Sequence, residues 1–219
     1  MILLALDTAG VDCAAAIYDS ESGMVLAEVS ETIGKGHAER LMALVDETLE
    51  TAGRTLADLD RIAVTIGPGS FTGIRVGVAA ARGFALALGI EAVGVTTLSV
   101  LAAAHRQGGG AGNVVAAMDA KRGEVYAQVF GPDGAALTEP AELAIAEASQ
   151  LPGRFGADVT GSGAPLLSGE SQGSGPDHFP VALVARLGAD LASGAARPRP
   201  LYLRAPDAKP QTGFALSRQ

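Results

Sequence analysis

The sequence predicts an α/β protein in which mixed sheets are flanked by helices. Apolar residues make up 48% of the 219 residues, whereas aromatic residues make up only 4% and Trp is absent. The core therefore has to be built mostly from Ala, Val, Leu and Ile, as is common in layered α/β proteins. Short apolar runs with the spacing of strands also alternate with longer runs that have the spacing of helices. The length of the chain allows one large domain or two small ones that share an interface.

The first half of the chain predicts three strands followed by alternating helices and strands. Gly53 is suited to end the first helix, and Thr96 or Thr97 can start the last one. The order β-β-β-α-β-α-β-α is the unit found in actin-like nucleotide-binding proteins. The predicted strands span residues 1–6, 13–18, 24–30, 62–66 and 91–95, and the predicted helices span residues 38–52, 74–88 and 96–105.

The second half of the chain predicts a smaller and less regular lobe. The glycine-rich segment QGGGAG, residues 107–112, predicts a linker between a first lobe of residues 1–106 and a second lobe of residues 113–219. The tail RPRPLYLRAPDAKP has too many prolines for regular structure and predicts an extended arm that can pack back on the first lobe. The predicted elements of the second lobe are strands at 114–118 and 124–130, a loop at 161–176 and a helix at 181–193.

Charge and cysteine usage limit the classes of function. The chain has a net charge of −8 with scattered basic residues, so it lacks the clustered basic face that nucleic acid requires. Any nucleic-acid role is therefore expected to pass through a partner. Cys13 is the only cysteine, which excludes an internal disulfide and predicts a small buried side chain in a reducing cytosol. The N-terminus lacks the basic region of a signal peptide, and Arg82 and Glu91 interrupt the apolar stretch 76–95, so no membrane span is expected.

The segment IGPGSFTGIR, residues 66–75, is the strongest candidate for a binding site. It links a predicted buried strand to a predicted helix, which Ser70 or Thr72 can cap. Such a turn can direct amide N–H groups at a phosphate or carboxylate. It can equally be a tight turn that binds nothing. The glycines that allow unusual backbone angles or close approach of another group are Gly67, Gly69 and Gly73.

Asp7 and Thr8 follow the first predicted strand. Actin-like enzymes place a carboxylate at this point, where it holds Mg²⁺ through water. The alternative is an Asx turn, in which the Asp7 side chain accepts a hydrogen bond from the backbone two residues on. The sequence leaves both interpretations open, because a fold can keep the shape of a site after its chemistry is lost.

Six motifs occur in the order found in one family of proteins. They are LALDTA near the start, HAERL from residue 37, GPGSFTGIRVG from residue 67, VTTL from residue 95, DAKRGEVYAQ from residue 119 and YLRAPDAKP from residue 202. On these motifs the chain resembles the TsaB (YeaZ) family of bacterial tRNA-modification proteins, with residues 139–175 matching least. The resemblance implies an actin-like (ASKHA, RNase H-like) fold of two α/β lobes. It also implies a role in forming threonylcarbamoyladenosine next to the tRNA anticodon.

The resemblance further implies that this chain is a subunit and not the catalyst. In the family, the subunit pairs with a larger relative, TsaD, which transfers the threonylcarbamoyl group, and the ATPase TsaE joins through the complex. A homodimer is implied when the chain is alone, tRNA is contacted mainly through the partner, and the localisation is cytoplasmic. The resemblance also implies that this chain requires no cofactor of its own, with ATP or ADP able to bind at the interface of the complex.

The residues agree with a non-catalytic role. The catalytic relative binds a metal through a His-x-x-x-His pair at the start of a helix, which places both imidazoles on one face. Here His37 is followed four residues later by Leu41. No metal site is therefore expected, and His37 is interpreted as a helix-start residue or an interface contact. The chain also lacks a GxxxxGK[ST] loop, so ATP hydrolysis of the TsaE type is not expected.

Two of the predicted helices are implied to form the interface with the partner. The alternative is ordinary packing of both helices against the sheet of their own lobe. On the first helix, apolar residues form a band wider than one core-facing stripe requires: Leu41, Met42, Leu44, Val45 and Leu49. On the second helix, small residues that let another helix approach recur every four positions: Gly73, Gly77, Ala81 and Ala85.

Three competing functions stay open from the sequence. The chain can itself be an actin-like ATPase or transferase that uses Asp7 and the Gly67–Gly73 turn. A metallopeptidase is disfavoured by the missing second histidine, and a homodimer with a separate binding role would ignore TsaD. Lys121 and Arg122, in the turn of the second predicted hairpin, are expected to be solvated. Contact with an acidic partner or with tRNA phosphate is the less favoured alternative for this pair.

Overall fold

The first lobe is built on a five-stranded mixed sheet. The computed structural model describes residues 1–194 and 197–204. The strands are β1 (Ile2–Asp7), β2 (Asp12–Asp19), β3 (Met24–Thr32), β4 (Arg61–Gly67) and β5 (Glu91–Thr96). They lie in the order β3-β2-β1-β4-β5. The first three form the predicted antiparallel meander, whereas β4 and β5 run parallel to β1, so that the C-terminal ends of β1 and β4 lie side by side.

Three helices follow the strands of the first lobe, as the sequence predicts. They are α1 (His37–Thr51), α2 (Phe71–Leu88) and α3 (Thr97–Gln107), with a single 3-10 turn at Leu56–Asp58. The Ser70 hydroxyl caps α2 by accepting a hydrogen bond from the Gly73 N–H, and Thr96 caps α3 in the same way through the Ser99 N–H. Gly53, just beyond α1, has the positive φ of 61° that is common after a helix end.

The second lobe holds a four-stranded sheet and three very short helices. Its strands are β6 (Asn113–Lys121), β7 (Glu124–Phe130), β8 (Ala141–Ala144) and β9 (Ala157–Thr160), in the order β8-β7-β6-β9. Its helices are α4 (Ile145–Ala148), α5 (Leu151–Phe155) and α6 (Ala164–Leu167). The predicted hairpin is confirmed. The predicted loop at 161–176 is wrong in part, because it contains α6, and elements of four or five residues are too short for a periodicity to reveal.

The last helix in the described part of the chain, α7 (Val181–Asp190), packs on the sheet of the first lobe. A Cβ at Gly188 would stand 2.3 Å from the Cβ of Ala63, whereas one at Gly77 of α2 would stand 3.2 Å from the side chain of Val64. Successive residues of a strand point to opposite faces of the sheet, so α7 covers one face and α2 the other. The predicted division at 107–112 falls between α3 and β6, but the segment beyond it also completes the first lobe.

The described part of the C-terminal arm, residues 197–204, has no regular secondary structure and contacts both lobes. Its Leu201 N–H donates to the Ile66 carbonyl oxygen at 2.8 Å, and the Tyr202 ring lies 5.1 Å from the ring of Phe71. Arg204 pairs with two carboxylates of the second sheet, those of Glu124 and Glu142. The described residues of the arm thus contact the first lobe at Ile66 and Phe71 and the second lobe at Glu124 and Glu142. The rest of the YLRAPDAKP motif, from residue 205 on, lies outside the described residues.

Candidate functional site

The glycine-rich turn between β4 and α2 lies beside the end of β1. The two strands are parallel neighbours, with Leu6 opposite Val64. In open α/β sheets, ligands bind at the edge formed by the carboxyl ends of such strands. The structure therefore brings the two parts of the predicted site together, because Asp7 and Thr8 lie next to the Gly67–Gly73 turn.

The glycines of this turn make room for the end of β1. A Cβ at Gly73 would stand 1.9 Å from the Thr8 carbonyl oxygen, and one at Gly69 would stand 2.4 Å from the Ala9 carbonyl oxygen. One helical turn later, a Cβ at Gly77 would stand 2.5 Å from the Thr8 hydroxyl. Side chains cannot approach to such distances, so glycine is required at these positions. The group that approaches the turn is the chain's own backbone.

Polar groups of the turn are also paired within the chain. The Ser70 N–H donates to the Ala9 carbonyl oxygen at 2.7 Å, and the Gly73 N–H donates to the Ser70 hydroxyl at 3.2 Å. The Thr8 hydroxyl donates to the Gly73 carbonyl oxygen at 2.7 Å. A phosphate at this turn would have to displace internal hydrogen bonds. Thr72 lies exposed in the first turn of α2.

Asp7 is fully buried at the end of β1. Its Oδ1 accepts hydrogen bonds from the Ala9 N–H at 3.0 Å and from the Thr65 hydroxyl at 2.6 Å, whereas Oδ2 has no partner among the described residues. Burial raises the pKa of the carboxyl from 3.8 to about 7, because the loss of water outweighs the hydrogen bonds that favour the charged form. The hydrogen bond from the Ala9 N–H forms an Asx turn, which is one of the two interpretations that the sequence leaves open for Asp7.

Asp7 belongs to no cluster of metal-ligating side chains in the described part of the chain, because no three His, Cys, Asp or Glu side chains are placed there to share a metal ion. Asp7 instead joins β1 to β4 through Thr65.

His37 is the first residue of α1 and is buried inside the lobe. Its Nε2 lies 3.1 Å from the backbone oxygen of Asp12. The position confirms the interpretation of His37 as a helix-start residue. It corrects the alternative of an interface contact, because the sheet already covers the ring.

Most of the residues predicted at the partner interface face the core of their own lobe. The apolar band on α1 is wider than one stripe. Helix α1 nevertheless packs on β2 so that the sheet buries every residue of the band except Met42, which is 45% exposed. On α2, the small residues face β1 and β4, which explains their size. Burial corrects the prediction of an exposed surface for six positions: Leu41, Val45, Leu49, Gly73, Gly77 and Ala81. Ala85 is partly buried.

The outward faces of α1 and α2 carry opposite charges. The exposed face of α1 presents Glu39, Asp46 and Glu50 at helical spacing, whereas the exposed face of α2 presents Arg75 and Arg82. The two helices contact each other, and we call their exposed faces together the surface formed by α1 and α2. Its exposed apolar side chains are those of Met42, Phe71 and Leu86, the last of them 83% exposed. On α2 this surface borders the C-terminal arm, because Arg82 lines one cleft with Pro198 and another with Pro200. In the sequence, this surface is indicated by charged residues that recur at helical spacing along α1 and α2.

Helix α2 is the one described helix that is long and apolar enough to cross a membrane by length and composition. Its inner side packs on the sheet through residues such as Ile74 and Val78. Its outer side carries the exposed guanidinium groups of Arg75 and Arg82. The packing accounts for the apolar composition of this helix.

A cleft of about 520 Å³ lies between the two lobes. Gly10 and Ser70 line it from the first lobe, and Asp119, Lys121 and Ser162 line it from the second. The Lys121 ammonium lies 2.7 Å from the Asp119 carboxylate. Sequence reasoning did not identify Ser162 as a site residue, because it follows a short strand in the part of the chain with the weakest pattern.

The turn that holds Lys121 and Arg122 connects β6 to β7. Both residues have positive φ angles, 62° and 60°, which is uncommon outside glycine and typical of tight hairpin turns. The Lys121 side chain is exposed apart from its pair with Asp119. This agrees with the expectation of a solvated turn.

Known proteins resemble this chain over most of its length. The family model of TsaD, tRNA N6-adenosine threonylcarbamoyltransferase, matches residues 25–162. An uncharacterized protein of Mycobacterium tuberculosis H37Rv is 36% identical over 208 residues, which cover 95% of this chain and 94% of that protein. The tRNA threonylcarbamoyladenosine biosynthesis protein TsaB of Escherichia coli K12 is 40% identical over 126 residues, 58% of this chain and 53% of that protein.

A solved structure supports the same grouping. The crystal structure of a Pseudomonas aeruginosa protein, described as similar to peptidase YEAZ, superposes with a TM-score of 0.74 and 30% identity. The match covers 93% of this chain and 99% of that one. This chain belongs to the TsaB (YeaZ) family. The family resemblance is thereby confirmed, and with it the actin-like fold of two α/β lobes. The chain spans about half the length of the Escherichia coli and Haemophilus influenzae TsaB proteins.

Proposed function

We propose that this chain is the TsaB-type subunit of a complex that makes threonylcarbamoyladenosine on tRNA, and that it supports a catalytic partner without catalysing the reaction. Membership of the TsaB family carries the proposal, because the Escherichia coli member is named as a tRNA threonylcarbamoyladenosine biosynthesis protein. The expected partner is a TsaD-type threonylcarbamoyltransferase, the relative whose family model matches more than half of this chain.

The packing of the glycine-rich turn supports the non-catalytic part of the proposal. Group transfer depends on donors that are free to face the charge that develops in the reaction. Here the Ser70 N–H donates to Ala9, and the Thr8 carbonyl oxygen fills the space beside Gly73. The competing hypothesis of an actin-like ATPase or transferase retains a supporting observation: the buried Oδ2 of Asp7 has no hydrogen-bond partner among the described residues.

The surface formed by α1 and α2 supports the pairing part of the proposal. A partner of the same fold presents an equivalent pair of helices, so a two-fold arrangement can place the acidic face of α1 against the basic face of the partner's second helix. The exposed side chains of Met42 and Leu86 supply the apolar area that such an interface needs. The same complementarity suits a second copy of this chain when TsaD is absent.

The other components are expected to reach this chain through the complex. The net charge of −8 disfavours direct binding of tRNA, so tRNA is expected to contact mainly the partner. The ATPase TsaE is expected to join the assembled complex, and ATP or ADP would bind at the interface between subunits. A cytoplasmic localisation follows from the same role.

A charge reversal on α2 tests the pairing. Arg82→Glu is expected to abolish co-purification with TsaD and to weaken the homodimer, because it places an acidic side chain opposite the acidic face of α1. Arg154→Glu makes the same change on an exposed residue of the second lobe and is expected to leave pairing intact. Equal recovery of TsaD by both variants would refute the proposed surface.

Depletion of the chain, followed by nucleoside analysis of tRNA, tests the function. Threonylcarbamoyladenosine is expected to disappear, to return with the wild-type chain and to stay absent with Arg82→Glu. Normal levels after depletion would remove the proposed function. ATPase activity of the purified chain that is lost in Asp7→Ala would favour the competing enzyme hypothesis instead.

A further inference from the structure

Asp177 lies in the cleft between the lobes and is bound to the second one. Its Oδ1 accepts a hydrogen bond from the Ser162 N–H at 2.7 Å, and its Oδ2 accepts one from the Ser162 hydroxyl. Ser162 is itself buried, and its hydroxyl oxygen accepts the N–H of Asp119 at 2.9 Å. The carboxylate therefore accepts hydrogen bonds from both the backbone N–H and the hydroxyl of Ser162.

The two residues after Asp177 are bound to the first lobe. The Nδ1 of His178 lies 2.6 Å from a carboxylate oxygen of Asp12 on β2. The ring of Phe179 is buried, and a Cβ at Gly10 would stand 3.0 Å from it and 3.0 Å from the Asp177 carbonyl oxygen. Three consecutive residues thus contact both lobes. We call Asp177, His178 and Phe179 the clamp.

The carboxylate of the clamp lies on the N–H and hydroxyl donors of Ser162, which lines the cleft. A backbone N–H and a hydroxyl that point together into a cleft suit a phosphate oxygen. At Ser162 both donors are already taken by a carboxylate from the same chain. On the opposite wall, the Ser70 N–H is taken by the Ala9 carbonyl oxygen. The Asp177 carboxylate adds negative charge that repels a second anion, whereas the Asp119 carboxylate is paired with the Lys121 ammonium at 2.7 Å.

We infer that the clamp is an occluding contact: the Asp177 carboxylate substitutes for a ligand phosphate, excludes nucleotides from the cleft and fixes the two lobes relative to each other. This inference goes beyond the proposed function, because it concerns the cleft and not the surface formed by α1 and α2. Burial raises the pKa of the Asp177 carboxyl, as expected for a carboxyl removed from water to make this contact.

Removal of the carboxylate tests the inference in the full-length chain. In Asp177→Ala, the Ser162 amide is expected to exchange its hydrogen about tenfold faster or more, because it loses a charge-assisted hydrogen bond. The same variant is expected to show chemical-shift changes at Ser162 and Gly10 on addition of ADP or inorganic phosphate, whereas the wild-type chain shows none. Asp190→Ala, which removes an exposed carboxylate at the end of α7, is the control and is expected to behave as the wild type.

A second variant keeps the test decisive if Asp177→Ala does not fold. His178 is largely exposed, so His178→Ala is expected to fold and to remove the bond to Asp12, which is one of the contacts of the clamp with the first lobe. Hydrogen exchange is then expected to rise several-fold at both Gly10 and Ser162. Nucleotide-induced shifts in the wild-type cleft would overturn the inference. So would exchange at Ser162 that is unchanged in His178→Ala, or the absence of any phosphate response in a folded Asp177→Ala variant.

Discussion

The Thr8 carbonyl oxygen lies 1.9 Å from the position that a Cβ at Gly73 would occupy. No side chain fits at that distance, so α2 can lie against the end of β1 only while residue 73 is glycine. The Thr8 hydroxyl adds a hydrogen bond to the Gly73 carbonyl oxygen, 2.7 Å away. The group that packs most tightly against this part of the glycine-rich turn is therefore backbone of the same lobe.

Gly73→Ala is expected to lower the free energy of unfolding by about 3 kcal/mol, because α2 has to move away from β1. Gly83→Ala, on the same helix, is the control, since no atom lies within 4 Å of its Cβ position. Alanine is the better helix former, so this variant is expected to gain about 0.5–1 kcal/mol. Urea unfolding measures both. Equal stability of Gly73→Ala and the wild type would contradict the described packing.

The ionisation of Asp7 predicts how stability changes with pH. Its carboxyl has a pKa of about 7 in the folded chain and an ordinary value of 3.8, so the folded state holds the proton more tightly. The protonated Asp7 carboxyl therefore stabilises the fold relative to the ionised one. This contribution to the free energy of unfolding is fully present below pH 3.8, and about 4 kcal/mol is lost as the pH rises to about 7. Asp7→Asn cannot ionise and is expected to lack this loss. Urea unfolding from pH 4 to 8 compares the two, and parallel pH profiles would show that Asp7 ionises normally.

Neighbouring residues of α1 are expected to respond differently to the same substitution. Val45 is fully buried, so Val45→Glu is expected to prevent folding, because it places a charge in the core. Met42 is 45% exposed, so Met42→Glu is expected to fold normally and to lose pairing with TsaD. Circular dichroism and co-purification measure the two properties. A folded Val45→Glu variant, or full pairing by Met42→Glu, would be inconsistent with the orientation of α1.

Arg61 ties β4 to the end of α7. Its guanidinium donates to the carbonyl oxygens of Gly188 and Leu191, at 3.1 and 2.7 Å, and pairs with Glu91 at 2.8 Å. Arg61→Met is expected to cost about 3 kcal/mol, because it leaves helix-end carbonyl groups and a carboxylate without their cation. Arg54→Met, at an exposed site, is expected to change stability by less than about 0.5 kcal/mol. Thermal unfolding of the two variants distinguishes them.

Features that depend on neighbouring residues could be predicted from the sequence. The strand predicted at 124–130 coincides with β7, and Ser70 caps the helix that it was predicted to cap. Both depend on local preferences, namely the alternation of apolar residues and the capping of free N–H groups. The order of the elements in the first lobe follows from the same local signals. The fold itself is predicted by the resemblance of the motifs to the TsaB family.

Features that depend on distant residues could not be predicted. The row of Gly73, Gly77 and Ala81 shows that something approaches α2 closely, but the spacing is the same whether a partner helix or the lobe's own sheet does so. The contact between Ser162 and Asp177 joins two irregular segments, and no periodicity marks either of them. Which surface a buried helix face packs against is decided by the whole fold, so the sequence of the helix alone does not show it.

The position of α7 sets the order in which a nascent chain can fold. The Arg61 guanidinium contacts Gly188, a residue 127 positions further on, so one face of the first sheet stays uncovered until α7 has been synthesised. The sheet of the second lobe, by contrast, uses only residues 113–160. The lobe that is begun first is therefore finished last, and a fragment that ends before Val181 would expose an apolar sheet face to aggregation.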